Sequence, residues 1–366
     1  MSEATTNPTK LRSPLRFKAL LGTIIVLSLL CGWYYNAKNR IALTGKLVVA
    51  VQKNDTKMAE ELLAQGADPD ARDEPERPLN LWQLIRHALH RDSSDPNYTA
   101  YMSAHTVLET ALDPEHNNLP LAKALLEAGA HADYSSEHGV TPLMTAVSLD
   151  QLERVHLLLD HGASPLAKDG NGQISLHHLA NNLGSQLEIV QLLVQRGDGV
   201  NAADNDGRTP LINCVTYGDG SVIRFLLAHG ASVNAQSKEG VTALMTAISA
   251  NDTDAIQLLL EHGANVNAID SSKRSSLCEA ARNALPAIVT LLLDHGANVD
   301  PIDMNGDTPL TACLDFGDNP DVVRILLAHH ADIMHRNKDG ATALSIAKKA
   351  EYSQSLALLI TAVPAR

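Results

Sequence analysis

The chain has 366 residues; 45% are hydrophobic, only 3% are aromatic, and 42 acidic against 29 basic residues give a formal net charge of −13. Such a composition calls for a core of Leu, Ala, Val and Ile in thin layers. The acidic balance repels nucleic-acid phosphates and anionic lipid headgroups, so DNA and RNA are disfavoured as partners and a basic protein is favoured.

Residues 1–18 carry Lys10, Arg12, Arg16 and Lys18 against Glu3 alone, and read as a cytoplasmic segment. Ala19 to Tyr35, ALLGTIIVLSLLCGWYY, is uncharged and sits at the short end of the length of a membrane-spanning helix. Trp33, Tyr34 and Tyr35 close it where an interfacial aromatic belt belongs, and the excess of basic residues before it puts the rest of the chain outside the cytoplasm. A cleaved signal peptide is the alternative. Its cleavage site is poor, since Tyr35 stands where a cut after Ala37 needs a small residue and Leu30 precedes Cys31. Asn36 to Gly45 reads as a linker that, fully extended, reaches about 35 Å. The repeat domain follows as residues 46–362.

One stretch organises that domain. HGANVNAID, from His262 to Asp270, recurs as HGASPLAKD from His161, HGASVNAQS from His229 and HGANVDPID from His295. A glycine closes a short apolar helix at Gly66, Gly129, Gly162, Gly197, Gly230, Gly263 and Gly296, with His330 in that place next, mostly at a spacing of 33 residues. A fixed period of this length means stacked repeats. Within one unit, Thr242 suits an N-cap and Ala243 the first helical position, as do Thr141-Pro142, Thr209-Pro210 and Thr308-Pro309. Leu244, Ala247 and Ile248 give one apolar face, Asn251-Asp252 turns the chain, and Ala255 to Leu260 forms a second helix stopped by Gly263. An extended finger closed by a turn such as Asn205-Asp206-Gly207 leads into the next unit.

The Thr-Pro-Leu opener, the Leu-Leu-Leu closer before Gly-Ala and the 33-residue period resemble the ankyrin-repeat family over about Lys46 to Ala362. The resemblance implies an all-α solenoid of about nine helix-turn-helix units with β-turn fingers, preceded here by one transmembrane helix. Lys46–Asp70 would cap the N-terminal end. Asp339–Ala362 would cap the other, its second helix polar through Tyr352, Ser353, Gln354 and Ser355 so as to face water. The repeat is interrupted from Asp73 to Ser103. Leu81, Leu84, Ile85, Ala88 and Leu89 there have helical spacing.

The chemistry-bearing residues mostly have structural uses. His161, His229, His262, His295 and His329 recur once per unit, about 10 Å apart by helix packing distance, too far to share an ion. They suit helix C-termini. His177 and His178 are adjacent and point to different faces. Cys214, Cys278 and Cys313 sit at small buried positions, and neither a metal-ligand set nor a nucleophile, base and orienter can be nominated. No enzyme activity, cofactor or small-molecule substrate is therefore expected.

Family likeness implies protein binding through the fingertips and the first-helix face. The candidate contact residues are Trp82, Tyr98 and Tyr101 of the insertion, Tyr134, Arg208 and Arg274 of the fingers, and Tyr217 and Phe316 after first helices, because aromatic and Arg side chains supply most binding hot spots. The expected function is a scaffold on the outer face of a membrane, periplasmic in a bacterium. The alternatives are an immunity protein that neutralises a toxin there and a secreted, host-directed factor.

Overall fold

A computed structural model describes Gly32 and residues 35–72, 106–113, 118–136, 138–179, 186–197, 199–217, 220–315 and 317–362. Among them the backbone is helical, with two isolated bridges, Arg72 to Thr106 and Ile269 to Ser275, and no strand. The chain forms two compact bodies, Met1–Ser136 and Glu137–Arg366.

In the N-terminal body a helix spans 35–52. It continues through 36–45, the expected linker, because Ala37, Lys38, Arg40, Ala42 and Leu43 are good helix formers. Leu47 and Val51 bury its inner face. Thr56–Ala64 pairs with it as the second helix of unit 1, N-capped by Asp55. Unit 2 follows as Val107–Leu112 and Leu119–Glu127. The expected transmembrane segment 19–35 lies outside the described residues except for Gly32 and Tyr35, and so do the insertion and its helix. Among the described residues no helix is long and apolar enough to cross a membrane.

The C-terminal body holds seven units. Their helix pairs are Pro142–Ser148 and Leu152–Asp160, a 3₁₀ turn Ser175–His178 and Gln186–Gly197, Pro210–Tyr217 and Gly220–Ala228, Ala243–Ser249 and Thr253–Glu261. Ser276–Arg282 and Pro286–Asp294, Pro309–Ala312 and Pro320–Ala328, and Ala343–Lys349 and Ser353–Ala362 complete them. First helices pack on neighbouring first helices and second on second. Neither face could be buried by one unit alone, which is why the units stack. The core is aliphatic: Leu158, Val190, Leu193, Val222, Leu226, Ile256, Leu259, Val289, Leu292, Val323 and Leu326 are all fully buried.

The openers behave as the sequence implies. Thr141, Thr242, Ser275, Thr308 and Thr342 each accept a hydrogen bond from the backbone N–H three residues on. Thr209 is the exception: its buried hydroxyl finds no partner. In unit 4 the cap position is Ile174, which offers no acceptor, and only the 3₁₀ turn forms. His177 substitutes there, its Nδ1 accepting from Ile174 N–H at 3.2 Å.

Most closing glycines are left-handed, as at Gly162 (φ 86°) and Gly263 (φ 81°), and His330 adopts φ 66° in their place. Gly197 departs from this. It is the last residue of its helix and is not left-handed, and a Cβ there would lie 2.4 Å from Pro165 Cγ. Packing, not a helix stop, requires that glycine.

The last unit also differs from the expectation. Its polar run does not face water throughout. Ser355 is fully buried, and its N–H and Oγ–H both donate to Asp318 Oδ1, at 2.9 and 2.5 Å, while Gln354 N–H donates to Oδ2. The preceding unit thus caps this helix. Burial pushes the Asp318 carboxyl up, but these hydrogen bonds outweigh it and hold the group below the usual carboxylate range. Ile360, an apolar residue, is 59% exposed instead.

Candidate protein-binding surface

The fingers of the C-terminal body are built by one repeated device. A short polar side chain accepts the backbone N–H groups two and four residues ahead and so closes the turn. Asp169, Asp204, Asp270 and Asp303 do this at 2.8–2.9 Å, and Ser237 and Asn337 do it at the same register. Each tip then donates one backbone N–H to the tip before it: Gly170 to His138, Asn205 to Asn171, Lys238 to Asp206, Ser271 to Glu239, Met304 to Ser272 and Lys338 to Asn305, at 2.7–3.0 Å. The tips form a fixed row from which side chains project.

A second ladder runs where each second helix ends. The Asn201 amide donates to Gly230 C=O at 2.8 Å and accepts from Ser232 N–H at 2.7 Å. Asn234 bridges Gly263 and Asn265 in the same way, and Asn267 bridges Gly296 and Asn298. At Asp300 the side chain only accepts, from Asp332 N–H. Met334 stands next in register and offers neither a donor nor a strong acceptor.

The histidines fill the helix-end role. His161, His229, His262 and His295 place Nδ1 2.8–2.9 Å from the carbonyl four residues back, where Nδ1–H donates. His177 directs Nε2 to Arg208 C=O at 3.1 Å while the adjacent His178 faces Asp169 Oδ2 at 3.2 Å. Burial lowers the His177 pKa, which keeps the ring neutral for this donor-acceptor arrangement. Among the described residues no group of His, Cys, Asp and Glu side chains is disposed to hold a metal ion. Cys214, Cys278 and Cys313 are buried free thiols; burial pushes Cys214 and Cys313 up to about 12, which removes the thiolate needed for nucleophilic chemistry.

Of the candidate contact residues, Arg208 and Arg274 occupy the same position on fingers two units apart. Arg208 is exposed. The Arg274 side chain is 43% exposed and already engaged: it meets Asp270 Oδ2 at 3.0 Å and Glu279 at 3.8 Å, tying finger to first helix. Tyr134 belongs to the N-terminal body. It is half-buried, with the Arg72 guanidinium 4.8 Å over its ring and His131 against its edge. Tyr217 ends its helix, with its side chain outside the described residues. Trp82, Tyr98, Tyr101 and Phe316 lie outside them altogether.

Sequence reasoning missed several residues of this surface. At the position before the turn-closing polar residue, successive fingers carry Lys168, Ala203, Gln236, Ile269, Ile302 and Arg336. Ile269 and Ile302 are 49% and 51% exposed, and Met304 at the adjacent tip is 51% exposed. The signal was present as an apolar residue at a register that is otherwise polar or small. Beside them Arg282 lies 3.6 Å from Asp303 and 3.8 Å from Asp315. Burial, then the Asp307 and Asp303 carboxylates, push the Asp315 carboxyl up, against the opposing pull of Arg282.

Comparison with known proteins gives a consistent family. A family model of ankyrin repeats in three copies matches residues 79–169, 176–270, 230–303 and 277–364, and one of the single ankyrin repeat matches residues 47–74. Mouse ankyrin repeat and SOCS box protein 6 is 31% identical over 154 residues, which cover 42% of this chain and 35% of that protein. Human ankyrin repeat domain-containing protein 63 is 38% identical over 109 residues, 28% of each chain. The ankyrin repeat, SAM and basic leucine zipper domain-containing protein 1 of Neofelis nebulosa is 37% identical over 109 residues, 29% of this chain and 23% of that protein. The matches therefore span about a third or less of these relatives.

Proposed function

The chain belongs to the ankyrin-repeat family, and from that membership we propose that it is a protein-binding module whose contact face is the finger row and first helices of the C-terminal body. The observation that carries this is the division of labour within each finger. Asp169, Asp204, Asp270 and Asp303 are spent on the turns, whereas the outward positions hold unlike residues: Lys168, Arg208, Lys238, Ile269, Ile302 and Arg336. A fixed frame with variable projections suits recognition of a partner more than catalysis. The net charge of −13 favours a basic partner.

Photo-crosslinking in intact cells tests the face. A crosslinking residue at Arg208 or Lys238 should trap discrete protein partners, and one at Glu261 or Asp294, on second helices, should not. The same products from all four positions would sink the assignment.

We further propose that the module is tethered to a membrane by residues 19–35 with its repeats on the non-cytoplasmic side. The uncharged run and its basic leading flank support this. The relatives described above are mammalian and lend no support to a bacterial, periplasmic setting. Scaffold, inhibitor of an incoming toxin and secreted factor differ in where the protein is found and in what it crosslinks to. A carboxy-terminal alkaline phosphatase fusion in a bacterial host should be active and pellet with membranes. Activity in the medium favours secretion, and an inactive fusion reverses the orientation.

A further inference from the structure

We infer, resting on the protein-binding role proposed above, that the fingers of units 7 and 8 form a docking site for a peptide segment of a partner protein carrying a large apolar side chain close to a Lys or Arg. Ile269, Ile302 and Met304 supply the apolar part, and the carboxylates beside Arg282 the charged part.

Folding does not require the apolar side chains. The same position holds Lys168, Ala203, Gln236 and Arg336 in fingers closed by the same turn. Yet Ile269 and Ile302 leave about half their surface in water, and Met304, two residues after Ile302, does the same. Neighbouring fingers lie within side-chain reach, since Gln236 Nε2 extends to Ile269 C=O at 3.5 Å. The three residues thus form a short strip on adjacent fingers joined by Met304 N–H donating to Ser272 C=O, with Gln236 and Arg336 in register on either side. Singly exposed apolar residues are ordinary; a strip on two adjacent, hydrogen-bonded fingers is a patch.

The charge beside the strip specifies the occupant. Arg274 joins Asp270 to Glu279, and Arg282 faces Asp303 and Asp315, while Asp307 accepts from the Asn337 amide. Two guanidinium groups therefore serve four carboxylates. Lys273 is exposed at the tip between them. Asp315 is the more accessible of the two carboxylates facing Arg282, with 32% of its side chain exposed against 3% for Asp303. Its carboxyl is pushed up by burial and then by Asp307 and Asp303, against the pull of Arg282. A side-chain cation from a partner would add to the two guanidinium groups that these four carboxylates share. Apolar cover from the strip would exclude water around that ion pair and strengthen it.

Selection from a random-peptide library displayed on phage, against the purified full chain, tests this. Enriched peptides should pair an aromatic or large aliphatic residue with Lys or Arg. A synthetic representative should bind at least about tenfold more weakly to Ile302→Asp and Met304→Asp, the scale of a buried hot-spot contact. Leu166→Asp, at another exposed apolar residue, should bind it unchanged, and Asp315→Lys should abolish the preference for basic peptides. Equal thermal melts for all variants keep a folding defect from mimicking the effect. Peptides that bind Ile302→Asp as well as they bind the parent overturn the site but leave the protein-binding role standing. Acidic peptides also overturn the site. Absence of enrichment overturns both. Sedimentation showing a dimer that Ile302→Asp dissociates would make a second copy the occupant and reject the peptide partner.

Discussion

At the scale of single residues, the turn between the two helices of a unit shows a conflict the letters barely hint at. Asp150, Asn251, Ala284 and Glu351 occupy the same position, nine residues after Thr141, Thr242, Ser275 and Thr342, with φ between 54° and 60°. Asp and Asn tolerate the left-handed region; Ala does not, at about 1–2 kcal/mol. Ala284→Gly removes that cost and adds about 0.5–1 kcal/mol of chain entropy lost on folding. The expected outcome is a gain of about 0.5–1 kcal/mol, read as a raised urea midpoint with an unchanged slope. A lowered midpoint would show that the turn relaxes around alanine without strain. Capping was legible at this scale, because a Thr or Ser side chain and the N–H it accepts are three residues apart. The role of His177 was not, because its partner carbonyl belongs to Arg208 in the next unit.

At the scale of elements, helices and turns were legible from apolar spacing and from Thr-Pro and Gly, but the bonds between units were not. Asn201, Asn234 and Asn267 recur every 33 residues in plain view, yet each amide bonds groups 29 and 31 residues away, a distance that no local pattern encodes. The ladder gives opposite predictions at two sites. Asn267→Ala loses two exposed hydrogen bonds and should cost about 1–2 kcal/mol. Asp300→Asn should do the reverse. A carboxylate cannot donate to the His330 carbonyl as an amide can, and burial, with the Asp332 charge, pushes the Asp300 carboxyl up against the bond from Asp332 N–H. A group with a raised folded pKa contributes its stability below its unfolded value and loses it as pH rises through the folded one. The native carboxylate is therefore a burden at neutral pH that fades on acidification toward the ordinary Asp range. Asp300→Asn should stabilise by about 1 kcal/mol at pH 7 and by less near pH 4. Denaturant titrations at both values check this, and an equal gain at both would locate the benefit in the new donor alone.

At the scale of the whole molecule, the period announced the architecture, because any unit that cannot bury its own face must have neighbours. Interruptions of the period were harder to read. The insertion and the apolar leader lie outside the described residues, and no repeat rule governs them. What the fold does fix is autonomy. Glu137–Arg366 contains seven units, six of them α-helix pairs and one opened by a 3₁₀ turn, and stacked repeats need about three to become stable. Its fingertip row begins at His138 C=O and runs to Lys338 N–H within that body, and the Asn ladder from Asn201 to Asp300 lies inside it too. Its last helix is capped from within by Asp318. Every bonding device described for these units is therefore retained when residues 137–366 are produced alone. The fragment should be helical by circular dichroism, resist limited proteolysis and unfold in one cooperative step, since nearest-neighbour interfaces couple adjacent units. The Asn267→Ala cost should appear undiminished in the fragment. A fragment that is protease-sensitive, or that melts without a transition, would mean that residues before 137 supply stability the C-terminal body lacks.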